Sequence, residues 1–420
     1  MILLELNEYN GSLLRDITSR RSLGALQQVF AWRRSETRTD DAYDSGFLEP
    51  WVQWVSVHTG NPSSKHQIKH LGDVPALEAE QVWERWSREG RRSIVWGVMN
   101  GDRRTAQNCD VFIPDPWTFS EPAYPDKYSN LIRLPRYLAK NYLDISKLKC
   151  AGDGVGLFSA LLRNAKTSDL KDGLGLLLQG LRAFGPKHIV FIVFFEYMSA
   201  MAFLRSVEER QPDNAIVFIN MFAHAQHHYW KSRNGEDCPE LEFAARAIDG
   251  VISKLIARTS NLKVGERICI MNALSQKCTD DEPPWVLHRP KNPECLLQHM
   301  GLNPVRVEPL MTHDAHAFFA DAGAANAAFE LLKRARVNGA PLFHVERSAV
   351  EPSMLFYRLD FFDLVDDETT FVYGNSNSRF NDHFISIVTR TGKHIQKGEI
   401  LANWDGFPST LYNHEAVQYL

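Results

Sequence analysis

Three stretches hold the residues best suited to chemistry. The first, residues 49–60, packs Glu49, Trp51, Gln53, Trp54, His58 and Thr59 together, with Pro62 and His66 close behind. Glu49 could act as a covalent carboxylate nucleophile or as a general base. Thr59 precedes Gly60 and reads as the threonine of a turn. Trp51 and Trp54 fit a hydrophobic core or a wall on which a ligand stacks. The second stretch places His224, His227 and His228 directly after an apolar strand, where open α/β sheets bind ligands. His224 and His228 lie four apart and share a helical face, so they could form an imidazole metal site or a structural cluster. The third is Thr391-Gly-Lys-His394-Ile-Gln-Lys-Gly398. Asp115, fixed between Pro114 and Pro116, fits a rigid turn or a carboxylate aimed into a cleft.

In order along the chain, four segments resemble the alkaline phosphatase superfamily, particularly its phosphodiesterase and sulfatase-like branches. Ile2-Leu-Leu-Glu-Leu-Asn7-Glu8 is similar to the opening strand that ends in a metal-binding Asp, with Asn7 at that position. Thr59-Gly60, Pro62 and His66 match the tail of the nucleophile segment, and counting back lands on Pro50 or Glu49. The run ending His224-Ala-Gln-His227-His228 is similar to the Asp-x-x-Gln-His motif, with Ala223 in place of the Asp. Asn272-Ala-Leu274 stands where the family has an Asp-His pair, while His394 matches the last metal-binding His.

The resemblance implies a doubly wound, largely parallel sheet with helices on both faces. It also implies an active site at the strand ends, where the family holds one or two divalent metals. A two-metal site depends on several carboxylates to offset its charge. With acidic ligands replaced, the expectation is a metal-poor site: no cofactor or a single divalent metal, zinc first. If one binds, His224, His227, His228 and His394 are its candidate ligands. Glu49, His227 and His394 are the candidate catalytic residues. Asn7, Trp51, Gln53, His58, His224 and Asn272 are candidate substrate-binding residues.

The expected function is a divergent alkaline phosphatase-like enzyme acting on an anionic phosphorylated or sugar-containing small molecule, such as a polysaccharide precursor. Hydrolase, transferase and lyase chemistry all remain open. The alternatives are an inactive binding or scaffold protein of the same fold and a conventional metal-dependent phosphodiesterase.

The elements must position these residues within 420 residues, enough for a large core. A net charge of −4 without a long basic run argues against a nucleic-acid partner. The six cysteines are scattered, with no CxxC pair, which disfavours thiolate zinc or a disulfide framework. The N-terminus lacks a signal-peptide pattern, and the run 189–195 is too short to span a bilayer, so a cytoplasmic location without a membrane span is expected. No phosphate loop or dinucleotide fingerprint is present.

Ile2–Leu6, Ser93–Val98 and residues 188–195, 215–219 and 267–271 read as buried strands. Helices are expected over 76–89, 241–258 and 324–336, a loop over 113–126 and a surface excursion over 277–293. The whole of 1–420 reads as one α/β domain, with a helical cap or insertion over 131–185.

Overall fold

The computed structural model describes residues 1–141, 143–233, 235–310, 313–348 and 351–420. The chain divides into two compact units. The first comprises Met1–Arg136, Lys147–Asp280 and Thr391–Leu420; the second comprises Tyr137–Ser146 and Asp281–Arg390. The physical reason is a separate apolar core in the second unit, built around Leu297, Phe343, Tyr357, Phe371 and Phe384. Helix Ala322–Arg334 and small antiparallel sheets enclose it.

The strands that build the first unit's sheet and the adjoining ribbon are β1 (Ile2–Leu6), β2 (Arg33–Arg38), β3 (Ser93–Val98), β4 (Cys109–Pro114) and β5 (Asn214–Ile219). They continue with β6 (Ile268–Met271), β7 (Ser275–Cys278), β8 (Gly392–Ile395), β9 (Lys397–Ala402) and β10 (Thr410–Tyr412). The sheet runs β10-β2-β9-β6-β1-β5-β3-β4. Its segment β6-β1-β5-β3-β4 is parallel, and β9 runs antiparallel to both β6 and β2. All five residues of β1 are buried, as continuous apolarity in a strand covered on both faces requires. This is the expected largely parallel α/β sheet.

The helices named below are α1 (Gly11–Arg21), α2 (Gly24–Phe30), α3 (Pro50–Thr59), α4 (Val82–Arg88) and α5 (Lys147–Asn164). They are followed by α6 (Thr167–Phe184), α7 (His188–Arg210), α8 (Met221–Tyr229) and α9 (Pro239–Thr259). Residues 188–195, expected as a strand, are the start of α7. Apolar residues recur past them at Met198, Met201 and Leu204, so the buried run continues with helical period. By length and composition, α7 is also the one helix among the described residues able to cross a membrane, and 61% of its apolar window is buried in the fold.

The helix expected over 76–89 is shortened to α4, whose start is marked by Glu84 Oε2 accepting from Gln81 N at 3.0 Å. The excursion expected over 277–293 instead contains strand Trp285–Pro290. Within the loop expected over 113–126, Tyr124 bridges back to Phe112. The segment 131–185 is helical, in Ser129–Asn141, α5 and α6.

Candidate functional site

The parallel strands β1, β5 and β6 deliver their carboxyl ends to one place, and the side chains best placed for chemistry converge there. Glu8 follows β1 with φ +51, a left-handed conformation that costs a non-glycine residue roughly 1 kcal/mol or more. Gln226, inside α8, holds that turn. Its Nε2 donates to the Glu8 carbonyl at 3.0 Å and its Oε1 accepts from Asn10 N at 2.8 Å. The kink turns the Glu8 carboxylate inward, where it is buried.

His227 comes from the end of α8, the helix that follows β5. Thr391 fixes that end: its N–H donates to the His227 carbonyl at 2.9 Å and its hydroxyl donates to the Gln226 carbonyl at 2.8 Å. His394 lies on β8 directly opposite Gln276 on β7, so both side chains leave the same face of this ribbon.

The result is a compact cluster. Glu8 Oε2 lies 3.0 Å from His227 Nε2, 2.9 Å from His394 Nε2 and 2.6 Å from Gln276 Nε2. Glu8 Oε1 accepts from Asn7 Nδ2 at 2.7 Å. On its other edge, His394 Nδ1 meets the Leu48 carbonyl at 3.1 Å and Glu49 Oε2 at 3.3 Å. Burial alone would raise the Glu8 carboxyl. The charges and hydrogen bonds of His394 and His227 outweigh it and hold Glu8 well below the usual carboxylate range. Burial alone would lower His394, but Glu8 and Glu49 on either side push it up to about 10.

These residues also meet the requirements of a metal centre. One ligand atom each from Glu8, His227 and His394 lies within 4.8 Å of the others. Two imidazoles and one carboxylate form a donor set typical of zinc with an open position. Beside them, Gln276 turns its Nε2 to Glu8 and its partnerless Oε1 to Gly392, so the amide gives the centre a hydrogen-bond donor rather than a ligand. Glu49 against His394 Nδ1 then forms the outer carboxylate that fixes a ligating imidazole.

The structure thus gathers Glu49, His227 and His394. Other expected site residues are engaged elsewhere. Asn7 accepts from Trp54 Nε1 and donates to Glu8 and Asn220, so its amide braces the cluster. Gln53 donates to Asp41 and the Phe47 carbonyl and accepts from Asn413. His58 is wholly buried against Glu5 at 2.6 Å, stacked on Trp54. Asn272 bridges the Tyr9 carbonyl and Glu399 N–H. Trp51 is half-buried, its indole donating to the Lys69 carbonyl.

His224 and His228 stand with His188 in a separate ring cluster, with centroids 4.7 and 4.4 Å apart. Burial and the neighbouring histidines hold His224 well below the usual range. Thr59 caps no chemistry: its hydroxyl donates to Val55 O, and Gly60 ends α3 at φ +72. His66, pushed down to about 4 by burial, accepts from Ile68 N and pairs with Ser56. Asp115 is a buried turn former that accepts from Asn100 N, Trp117 N and Thr118.

Glu8 and Gln276 are the residues the sequence reading left out of the site. A second carboxylate beside Asn7 at the end of β1 was the available signal for Glu8. Gln276 gave none, because only its pairing across from His394 brings it in.

No protein-family model matches the chain, and no curated protein does. Solved structures do. Phosphonoacetate hydrolase from Sinorhizobium meliloti 1021, in complex with phosphonoformate, aligns over 100% of this chain and 94% of its own, with 15% identity and a TM-score of 0.48. Murine ectonucleotide pyrophosphatase/phosphodiesterase 5 aligns over 100% and 93%, with 9% identity and a TM-score of 0.46. A mutant of the alkaline phosphatase PafA aligns over 99% and 93%, with 9% identity and a TM-score of 0.48. At 9–15% identity and TM-scores below 0.5, these are similarities of chain path alone.

Proposed function

We propose that the chain is an alkaline phosphatase-like hydrolase or group transferase with a one-metal centre held by Glu8, His227 and His394, acting on an anionic phosphorylated small molecule. The observation that carries this reading is the convergence of those three donors at the carboxyl ends of parallel strands. A divalent cation bound there supplies Lewis-acid stabilisation of charge on a phosphoryl oxygen. Glu8 is the one carboxylate in the donor set, so it offsets only part of that charge and leaves the centre attractive to an anionic oxygen. Glu49 is a positioning residue in this scheme, holding the Nδ1 edge of His394 so that Nε2 faces the centre. Gln276 and Asn7 hold Glu8 in place. A cytoplasmic location is part of the proposal, supported by six free cysteines, four of them buried.

The test is hydrolysis of a nitrophenyl phosphodiester and a nitrophenyl phosphomonoester by purified protein, with and without chelator, beside His227→Ala. Chelator-sensitive turnover, lost in the variant, supports the proposal. Turnover unaffected by both would overturn it. A second reading, a binding protein without turnover, is favoured by one feature: Glu8 Oε2 already has three donors around it, so the cluster can close without an ion. Ligand binding without product formation would identify that case.

A further inference from the structure

We propose that the outer faces of α5 and α6 form a peripheral docking surface for an anionic lipid bilayer. On α5, Leu148, Val155, Phe158 and Leu162 are exposed, the first two at 86% and 72%. At about 100° per residue they fall in one stripe about 80° wide. The residues α5 buries, Ala160 and Leu161, point away from that stripe. On α6, Leu174 and Leu178 are exposed, whereas Asp169, Gly173 and Gly180 are buried on the opposite side. Gly180 marks the close approach of α6 to α7, since a Cβ there would lie 2.7 Å from a Val190 methyl. Each helix therefore uses one face for the fold and leaves an apolar face outward.

Charge indicates what covers those faces. Residues 147–187 carry seven lysines and arginines against three aspartates and no glutamate, a net charge of +4 on a chain whose total is −4. Lys147 and Arg163 flank the α5 stripe, and Lys171 and Arg182 sit beside the α6 leucines; all four are exposed. Apolar side chains bordered by long basic ones suit a helix lying in the headgroup region, with its basic groups reaching anionic lipid. A second copy of the chain fits this surface less well, because a two-fold contact would bring the exposed Lys147, Arg163, Lys171 and Arg182 of two chains together. This inference is independent of the chemistry proposed for the metal centre.

The experiment is co-sedimentation of the full chain with vesicles of phosphatidylcholine alone and of phosphatidylcholine mixed with phosphatidylglycerol. Two surface variants run beside it, Lys147→Glu/Lys171→Glu/Arg182→Glu and Val155→Ser/Phe158→Ser, with thermal melting to confirm folding. Binding to the anionic vesicles only, reversed by high salt and weakened roughly tenfold or more in either folded variant, is the expected result. The proposal is overturned by failure of the wild-type chain to bind anionic vesicles, or by binding that folded variants leave unchanged. A dimer in light scattering that the Val155→Ser/Phe158→Ser protein no longer forms, with no vesicle binding, would assign the surface to a second copy instead.

Discussion

Glu8 and His394, 386 positions apart in sequence, meet at 2.9 Å between Oε2 and Nε2 at the buried end of the first strand. Neither group would be comfortable there alone, because desolvation opposes the charged form of each. Together they lower the carboxyl and raise the imidazole, and Glu49 adds a second negative neighbour on the far edge of His394. His227, whose ring centroid lies 5.3 Å from that of His394, completes a group in which two imidazoles share one carboxylate oxygen. A divalent cation held by Glu8, His227 and His394 would compete with the protons that otherwise hold this group together.

Glu49 should affect metal affinity more than folding. Replacing it with alanine removes the carboxylate at 3.3 Å from His394 Nδ1. Zinc affinity is expected to fall roughly 10- to 100-fold, as for outer-carboxylate losses in other metal sites. Titration with a competing zinc chelator measures this. Glu49→Gln should fall between wild type and Glu49→Ala, with the melting temperature little changed.

Glu196 on α7 gives a pH dependence separate from the cluster. Its Oε2 accepts from Asn220 N at 2.7 Å and Met221 N at 2.6 Å, capping the start of α8. Burial raises its carboxyl from 4.5 to about 7, despite those two hydrogen bonds. The native state therefore holds a proton that the unfolded chain has lost between those pH values. The contribution to stability is full below about 4.5 and is lost as the pH rises through 7. Glu196→Gln keeps an acceptor for the cap, so urea denaturation as a function of pH should lose this decline.

His58 should behave as a core residue. With Glu5 it shares a hydrogen bond at 2.6 Å in which both side chains are fully buried. His58→Ala leaves the Glu5 carboxyl without that partner and is expected to cost about 1–3 kcal/mol of stability. Denaturant unfolding reads this directly, and the folded fraction of the variant should retain zinc binding. Loss of ligand binding with unchanged stability would return His58 to the substrate-binding role.

Thr59 offers a simple contrast. Its hydroxyl is used inside α3, against Val55 O at 2.7 Å, at the end of the helix remote from Glu49. Thr59→Val should leave the turnover number unchanged in a phosphodiester assay, whereas a threonine nucleophile would lose nearly all activity.

Much of this architecture can be read from residue patterns. Continuous apolarity announced β1, β3, β5 and β6, and helical spacing announced α9, because each signal is local. Residues 188–195 misled for a physical reason: the run is apolar on all sides, with Phe191 exposed while Ile189, Val190 and Val193 are buried, so no polar side reveals its helical period. The candidate site was partly legible, since His227, His394 and Glu49 stood out as chemically able side chains near strand or helix ends. Glu8 was hidden by the left-handed turn that sends it, rather than Asn7, into the cluster. Gln53, His58 and Asn272 looked available because a sequence does not show which polar groups are already satisfied across β1, α3 and β9.

The central claim is that Glu8, His227 and His394 hold one metal ion, and metal analysis of the purified protein tests it most directly. After incubation with zinc and gel filtration, the wild-type chain is predicted to retain about one equivalent, and folded Glu8→Ala, His227→Ala and His394→Ala none. Retention of no zinc by the wild type, or of about two equivalents unaffected by these substitutions, would contradict the account.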